Sequence, residues 1–259
     1  MTPLTLVLAL GAGPVLATTS DFNGVWVINV ESTTKGSAPE HITLRNGVFS
    51  RGEGNSALSV KADGRFHAVA GDTYVDSVSV TVIGPRRVRE MDRWKGKLAY
   101  EVVYITSSNG DRLTRRVTDF SKPDHKPLVT TMVYHRIGGS PSPHASISGA
   151  WGIRSVKRKE ASLTERLTLA EGHFRSDWAG GGGYDAVIGG VPVPVRGDAE
   201  SARAAVTMPN ARTVVVRMSL GGVPTVVETM TLLPDDRTIS VTVDRLADQN
   251  HSGWTMHRQ

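Results

Sequence analysis

Four polar side chains that could do acid–base chemistry lie close together in the sequence. His67, Asp72, Tyr74 and Asp76 surround Gly71. An imidazole, a carboxylate and a phenol are groups that transfer protons in enzymes. Tyr74 and Asp76 are two residues apart, so on a strand they would project from one face. These residues could serve an isomerase, lyase or hydrolase that needs no metal, but a turn with exterior hydrogen bonds is the favoured interpretation.

A second polar set follows four consecutive glycines at positions 180 to 183. Such a run carries no side chains to pack and loses much entropy when ordered, which predicts a mobile loop beside a binding site. The residues after it could bind a polar or anionic group, or could form turns and a surface ion pair. The ligand-binding candidates are Tyr184, Asp185, Arg196 and Asp198.

Metal and cofactor chemistry has no support in the sequence. The chain has no cysteine, so thiolate metal sites, iron–sulfur clusters and disulfides are excluded. No two of its eight histidines have the spacing of a paired metal ligand. Phosphate-binding, dinucleotide-binding and nucleophile-elbow motifs are absent as well. We therefore predict no metal and no cofactor.

The positive net charge does not indicate a nucleic-acid partner. The chain carries a formal charge of +5, and its basic stretches lie at 86–89 and 112–116. No aromatic residues alternate with these arginines to form a stacking surface, and acidic residues are interspersed among the basic ones. Solvated strand faces explain the charge, and no nucleic-acid binding is expected.

The N-terminal segment predicts export. Residues 1–17 carry no charged side chain, include an apolar run at 4–10 and end in small residues at Ala17. This pattern is typical of a secretory signal peptide, with a short uncleaved anchor as the alternative. No later stretch is apolar enough to span a bilayer, so no stable membrane insertion is expected after cleavage. The prediction is a periplasmic or secreted protein.

An internal repeat divides the remaining chain. The sequence at 23–26 recurs at 148–151, and that at 46–49 recurs at 171–174, both with an offset of 125. Three further matches have offsets of 125 or 126. A recurring offset indicates one structural unit built twice. We predict homologous domains at 18–137 and 147–259, joined by a linker at 138–146 rich in glycine, proline and serine.

Both repeats have the pattern of antiparallel strands. Apolar residues alternate with polar ones, as in the segments 78–82 and 239–243. Dipeptides typical of tight hairpins separate these segments, among them Asn46-Gly47 and Lys95-Gly96. The strand spacing predicts an all-β protein of two tandem antiparallel β-barrels, each with about eight to ten strands.

The first strand of each repeat carries a Gly-x-Trp, ending in Trp26 or Trp151, and the last strand carries an arginine, Arg136 or Arg258. In these residues each repeat resembles the calycins, the group that contains lipocalins and fatty-acid-binding proteins. The resemblance implies a structural signature in which the arginine of the last strand covers the tryptophan of the first, Arg136 over Trp26 and Arg258 over Trp151. From residue 20 onward the chain resembles exported bacterial proteins with two tandem lipocalin-like domains, which implies a fold but no activity.

These observations predict a binding protein for a small amphiphilic or hydrophobic ligand, held in a barrel mouth or between the barrels. The alternatives are the acid–base enzyme and an envelope interaction module whose duplicated barrels present a surface. We expect the first barrel to be the functional one, because it carries the denser cluster of histidine, aspartate and tyrosine. Whether the chain catalyses a reaction, which ligand it takes and its oligomeric state stay open at this point.

Overall fold

The computed structural model describes residues 22–29, 32, 39–52, 57–70, 74–121, 126–139, 147–158, 163–198, 200–246 and 250–259. These residues form twenty β-strands and no α-helix, so the predicted fold class is confirmed. Among them there is no helix with the length and hydropathy of a membrane span. The predicted signal peptide and residues 140–146 of the predicted linker lie outside the described residues.

The first barrel is an antiparallel sheet of ten strands. In chain order these are β2 (Glu40–Arg45), β3 (Val48–Arg51), β4 (Leu58–Lys61), β5 (Asp63–Ala68), β6 (Ser77–Gly84), β7 (Arg87–Trp94), β8 (Lys97–Thr106), β9 (Arg112–Asp119), β10 (Leu128–Gly138) and β11 (Gly149–Arg158). Their spatial order is β4-β3-β2-β11-β10-β9-β8-β7-β6-β5. The edge strands β4 and β5 approach each other, so the barrel is nearly closed.

The second barrel has ten antiparallel strands as well. They are β1 (Gly24–Asn29), β12 (Thr164–Ala170), β13 (His173–Trp178), β14 (Gly183–Val187), β15 (Val193–Pro194), β16 (Arg203–Asn210), β17 (Thr213–Leu220), β18 (Val223–Leu232), β19 (Thr238–Arg245) and β20 (Asn250–Arg258). Their spatial order is β14-β13-β12-β1-β20-β19-β18-β17-β16-β15. A bridge between Gly183 and Arg196 brings the two edges together.

The first strand of each repeat lies in the barrel formed by the other repeat. β1 pairs with β12 and β20, whereas β11 pairs with β10 and β2. The first barrel is therefore formed by the continuous segment β2 to β11, and the second by β12 to β20 together with β1. The N-terminal strand completes a barrel whose other strands all come from the C-terminal part of the chain.

This exchange corrects the predicted tryptophan–arginine pairs. The Arg258 guanidinium lies 4.7 Å from the centre of the Trp26 ring, and the Arg136 guanidinium lies 4.2 Å from that of Trp151. The predicted contact type is present, but Arg136 covers Trp151 and Arg258 covers Trp26. The physical reason is the strand pairing, which places Trp26 directly opposite Arg258 and Trp151 opposite Arg136.

Tight turns hold the strands in register. The hairpins at Asn46-Gly47 and Glu171-Gly172 have positive φ at both residues, 52° and 73° in the first and 51° and 77° in the second. Two successive positive φ angles define the type I′ turn, whose twist matches that of the flanking strands. The alternating side chains of each strand then point inward and form one hydrophobic core per barrel.

Candidate functional site

The structure gives the predicted acid–base residues separate partners. His67 Nε2 lies 2.8 Å from an oxygen of Asp63, on the exposed strand β5. Asp76 accepts hydrogen bonds from the Ser77 hydroxyl and from the backbone N–H of Lys95. Asp72 lies outside the described residues. The contacts of His67 and Asp76 are those of turns and hairpins, and an acid–base role for the set stays a prediction.

Tyr74 and Asp198, predicted for different sites, meet each other between the two barrels. The Tyr74 hydroxyl donates to Asp198 Oδ2 over 2.7 Å. Burial, and then the hydrogen bond to Asp198, raises the pKa of this phenol. Close by, Glu200 accepts from the Trp94 indole over 2.5 Å and from Lys95 Nζ over 2.9 Å. This group of contacts attaches the β7–β8 hairpin to the loop before β16.

Two of the predicted ligand-binding residues form surface ion pairs, and a third is buried. Asp185 lies 3.0 Å from His173, and Arg196 lies 2.5 Å from Asp177. Tyr184 points into the second barrel and is only 1% exposed. Sequence reasoning placed all of them beside a mobile loop, but Tyr184 belongs to the interior.

The interior of the first barrel contains a buried ion pair between strands β3 and β7. Arg51 Nη2 donates to Glu90 Oε1 over 2.7 Å, and the Tyr104 hydroxyl donates to Glu90 Oε2 over 2.7 Å. Glu90 has no exposed surface. Burial alone would raise the pKa of Glu90, but the charge and hydrogen bonds of Arg51 outweigh it and hold this pKa below its ordinary value.

A second ion pair in the same interior joins strands β2 and β9. Arg115 Nη1 donates to both oxygens of Glu40, over 2.9 and 3.0 Å. The Arg115 guanidinium also lies 5.7 Å from the centre of the Tyr104 ring. Both charged groups of this pair are thus neutralised within the barrel itself.

Asp92 is a buried carboxyl beside Glu90. Burial, and then the charge of Glu90, raises its pKa to about 8. Asp92 therefore keeps its proton in the folded protein at neutral pH, whereas the unfolded chain releases it near pH 4. Because the folded state binds more protons between these values, this group makes stability fall as pH rises from about 4 to about 8.

Asp92→Asn removes this titration, so we expect a flatter dependence of stability on pH. At pH 8 the variant should be more stable than the parent by on the order of 2 kcal/mol. Urea unfolding between pH 5 and pH 9, followed by circular dichroism, measures the difference. An identical slope in both proteins would contradict the assignment of a buried proton to Asp92.

The second barrel contains a different polar cluster, defined by Glu165, Ser176, Tyr184 and Glu228. The Ser176 hydroxyl donates to Glu165 Oε1 over 2.6 Å. Burial, and then the charge of Glu165, raises the pKa of Glu228 to about 8. Burial likewise raises the pKa of Glu165. No basic side chain of the described residues contributes to either shift, so the two carboxyls face each other without a counter-charge.

Aromatic side chains with free polar atoms surround this cluster. The buried Tyr184 hydroxyl makes no hydrogen bond of normal geometry with the described residues, and neither does the Trp254 indole N–H. Trp178 lies opposite Glu165 on the next strand, and its ring meets Tyr184 edge to face at 6.3 Å. Unpaired buried donors are costly, so these two are available to a bound molecule.

The candidate residues predicted from the sequence were chosen mainly at turns and loops, so the charged residues of the barrel interiors were not among them. The sequence signal for them is their position in the alternation of the strand. Glu90 and Asp92 are two and four residues after the buried Val88, so all three side chains project from the inward face of β7. In the same way Glu228 shares a face with Met230. A charge in step with an apolar strand face indicates an inward-pointing group, and such groups are rare unless paired or functional.

Within the described residues no three or more histidine, aspartate or glutamate side chains form a group that could hold a metal ion. Comparisons of the chain with protein-family models, curated proteins and solved structures gave no significant match. The argument for function therefore rests on the residues of this chain.

Proposed function

We propose that the protein is an exported, calycin-like binding protein that holds a small amphiphilic molecule inside the second barrel. The observation that carries the proposal is the pair of polar atoms without a hydrogen bond of normal geometry, the Tyr184 hydroxyl and the Trp254 N–H, in an interior that joins an apolar core to the cluster of Glu165, Ser176 and Glu228. A few polar groups among apolar and aromatic walls are typical of small-molecule sites, where they orient the ligand.

The contrast between the barrels supports the second one as the site. In the first, the charged groups Arg51, Glu90, Arg115 and Glu40 neutralise one another. In the second, no basic side chain of the described residues contributes to the raised pKa of Glu165 or Glu228, so these two carboxyls are left for a ligand to neutralise.

The test uses N-phenyl-1-naphthylamine, an apolar fluorophore that is uncharged at neutral pH. We expect saturable binding with energy transfer from Trp178 and Trp254 to the probe. Val243→Trp fills the second barrel next to Glu228, because Val243 pairs with that residue and belongs to the core. This variant should weaken binding at least about tenfold, since a larger side chain occupies the site.

The matched control is Val117→Trp at the corresponding position of the first barrel, where Val117 pairs with Val102. This variant should bind the probe like the parent protein. Thermal unfolding of both variants shows that they are folded. Absence of saturable binding to the parent would overturn the proposed function, and loss of binding in Val117→Trp alone would move the site to the first barrel.

A further inference from the structure

The repeat places one carboxylate at the same point of both barrels. Glu40 pairs with Trp151 across β2 and β11, and Glu165 pairs with Trp26 across β12 and β1. Both glutamates are therefore neighbours of the buried tryptophan of their barrel. Their surroundings differ, however, in whether a positive charge is present.

In the first barrel the charge that neutralises Glu40 comes from Arg115 on β9. Arg115 pairs with Tyr104 and lies two residues from Leu113, which is opposite Tyr134. In the second barrel the residues equivalent to Leu113 and Arg115 are Ile239 and Val241. Val241 pairs with Met230 and Trp254. Valine thus stands where the first barrel has the arginine, and Glu165 has lost the equivalent partner.

The second barrel also gains a carboxyl that the first lacks. Glu228 pairs with Val216 on β17. In the first barrel Val102 occupies the position of Glu228, and Glu90 occupies that of Val216. The second barrel therefore lacks both interior cations of the first, since Ser176 and Val241 occupy the positions of Arg51 and Arg115, and it contains two acids. Glu165 and Tyr184 are the titratable groups that face Glu228. Carboxyls buried without a counter-charge are unfavourable unless a positive ligand joins them.

Aromatic rings lie where such a ligand would bind. Trp178 pairs with Glu165, its ring meets that of Tyr184 edge to face, and the electron-rich faces of such rings attract cations. The Tyr184 hydroxyl is buried, makes no hydrogen bond of normal geometry with the described residues, and interacts electrostatically with Glu228 and Glu165 and more weakly with Ser176. It is a polar group aimed into the cluster and independent of the acids themselves.

We infer that the ligand of the second barrel is a cationic amphiphile, an aliphatic amine whose ammonium group lies between Glu165 and Glu228 in place of an arginine guanidinium. This inference rests on the proposed function and specifies its ligand class. The alkyl part of the molecule packs against the apolar side chains of the interior, including Val243 and Met230.

The effect of ligand charge is tested with three compounds of equal alkyl length: decylamine, decan-1-ol and decanoate. Each is used below its own micelle-forming concentration to displace N-phenyl-1-naphthylamine from the full-length protein. Decylamine should displace the probe at a concentration at least about tenfold lower than the other two. An ammonium ion needs an ionised carboxylate as its partner. The apparent affinity for decylamine should therefore rise about tenfold per pH unit from pH 6 to pH 8, and it should level off above pH 8, where Glu228 has lost its proton.

Isosteric variants locate the cation. Glu228→Gln and Glu165→Gln should each remove the preference, so that decylamine displaces the probe no better than decan-1-ol does when both are measured on the same variant. Glu40→Gln, at the repeat-equivalent position of the first barrel, should keep the preference. Val241→Arg should restore the missing guanidinium, pair with Glu165 and abolish decylamine binding.

Each outcome bears on one of the two claims. Equal displacement by all three compounds, or a preference for decylamine that survives both Glu→Gln changes, would overturn the amine inference and leave the binding function standing. If the probe does not bind at all, the binding function itself fails. Should Val241→Arg fail to fold, the two glutamine variants and the pH profile still decide the question.

Discussion

Replacing Trp26 with alanine is expected to open the second barrel and to leave the first protected. Trp26 belongs to the N-terminal repeat, but it is completely buried in the core of the second barrel and covered by Arg258. Removing a buried tryptophan leaves a cavity that costs about 3–5 kcal/mol. Hydrogen exchange read by mass spectrometry should show faster exchange in residues 164–258 and little change in residues 40–158.

Trp151→Ala is the matched variant, and its effect should fall on the opposite barrel. Trp151 is equally buried and packs with the core of the first barrel under Arg136. Its loss should speed exchange in residues 40–158. If each variant instead loosened the strands of its own repeat, with Trp26→Ala acting on residues 40–138, the strand exchange would be refuted.

Arg51→Met should destabilise the first barrel by about 3–5 kcal/mol at neutral pH. The methionine keeps much of the apolar stem of Arg51 but leaves Glu90, which has no exposed surface, without its bidentate partner. Tyr104 would still donate to Glu90, yet a single phenol does not replace a guanidinium. Chemical unfolding followed by circular dichroism measures the loss.

The pH dependence of this loss identifies its cause. In the parent protein the pKa of Glu90 is lowered, so its contribution to stability is lost as pH falls through that pKa. In Arg51→Met burial dominates and raises the pKa of Glu90, so acidification should recover stability. The double variant Arg51→Met with Glu90→Met should regain most of the loss at neutral pH. A deficit that is the same at pH 5 and pH 8 would contradict an ionic origin.

Much of the fold was predictable because its signals are local. The offset of 125 residues, the alternation of apolar residues and the turn dipeptides together predicted two barrels of about eight to ten strands, and each barrel has ten. The dipeptide Asn46-Gly47 forms the expected turn. Local rules succeed here because a tight hairpin determines which strands are neighbours. Eighteen of the twenty strands follow this rule of adjacency within their own repeat.

The position of the first strands was not predictable in the same way. Trp26 and Trp151 sit in near-identical segments, Gly-Val-Trp and Gly-Ala-Trp, and the last strand of each repeat offers an arginine. Either first strand therefore fits either barrel.

The candidate site was predicted only in part. Tyr184 was named from its position after the glycine run, but its inward direction depends on pairing with Ser176, which sequence alone does not reveal. Glu165 and Glu228 are 63 positions apart and become neighbours only when the barrel closes. Two carboxyls that become neighbours only in the closed barrel have no fixed separation along the sequence, so no sequence motif identifies them.

The exchanged N-terminal strand also determines when the protein can reach its native state during synthesis. Arg258 donates a hydrogen bond to the carbonyl of Asn23, 235 residues earlier in the chain. β1 thus leaves the ribosome first and must wait for the last strand before its partners exist. Such distant pairing slows folding. The first barrel can close as soon as β2 to β11 have been synthesised, whereas the second can close only when the last strand is present. A molecule truncated at its C-terminus would therefore keep its first barrel but leave its first strand without a place to bind.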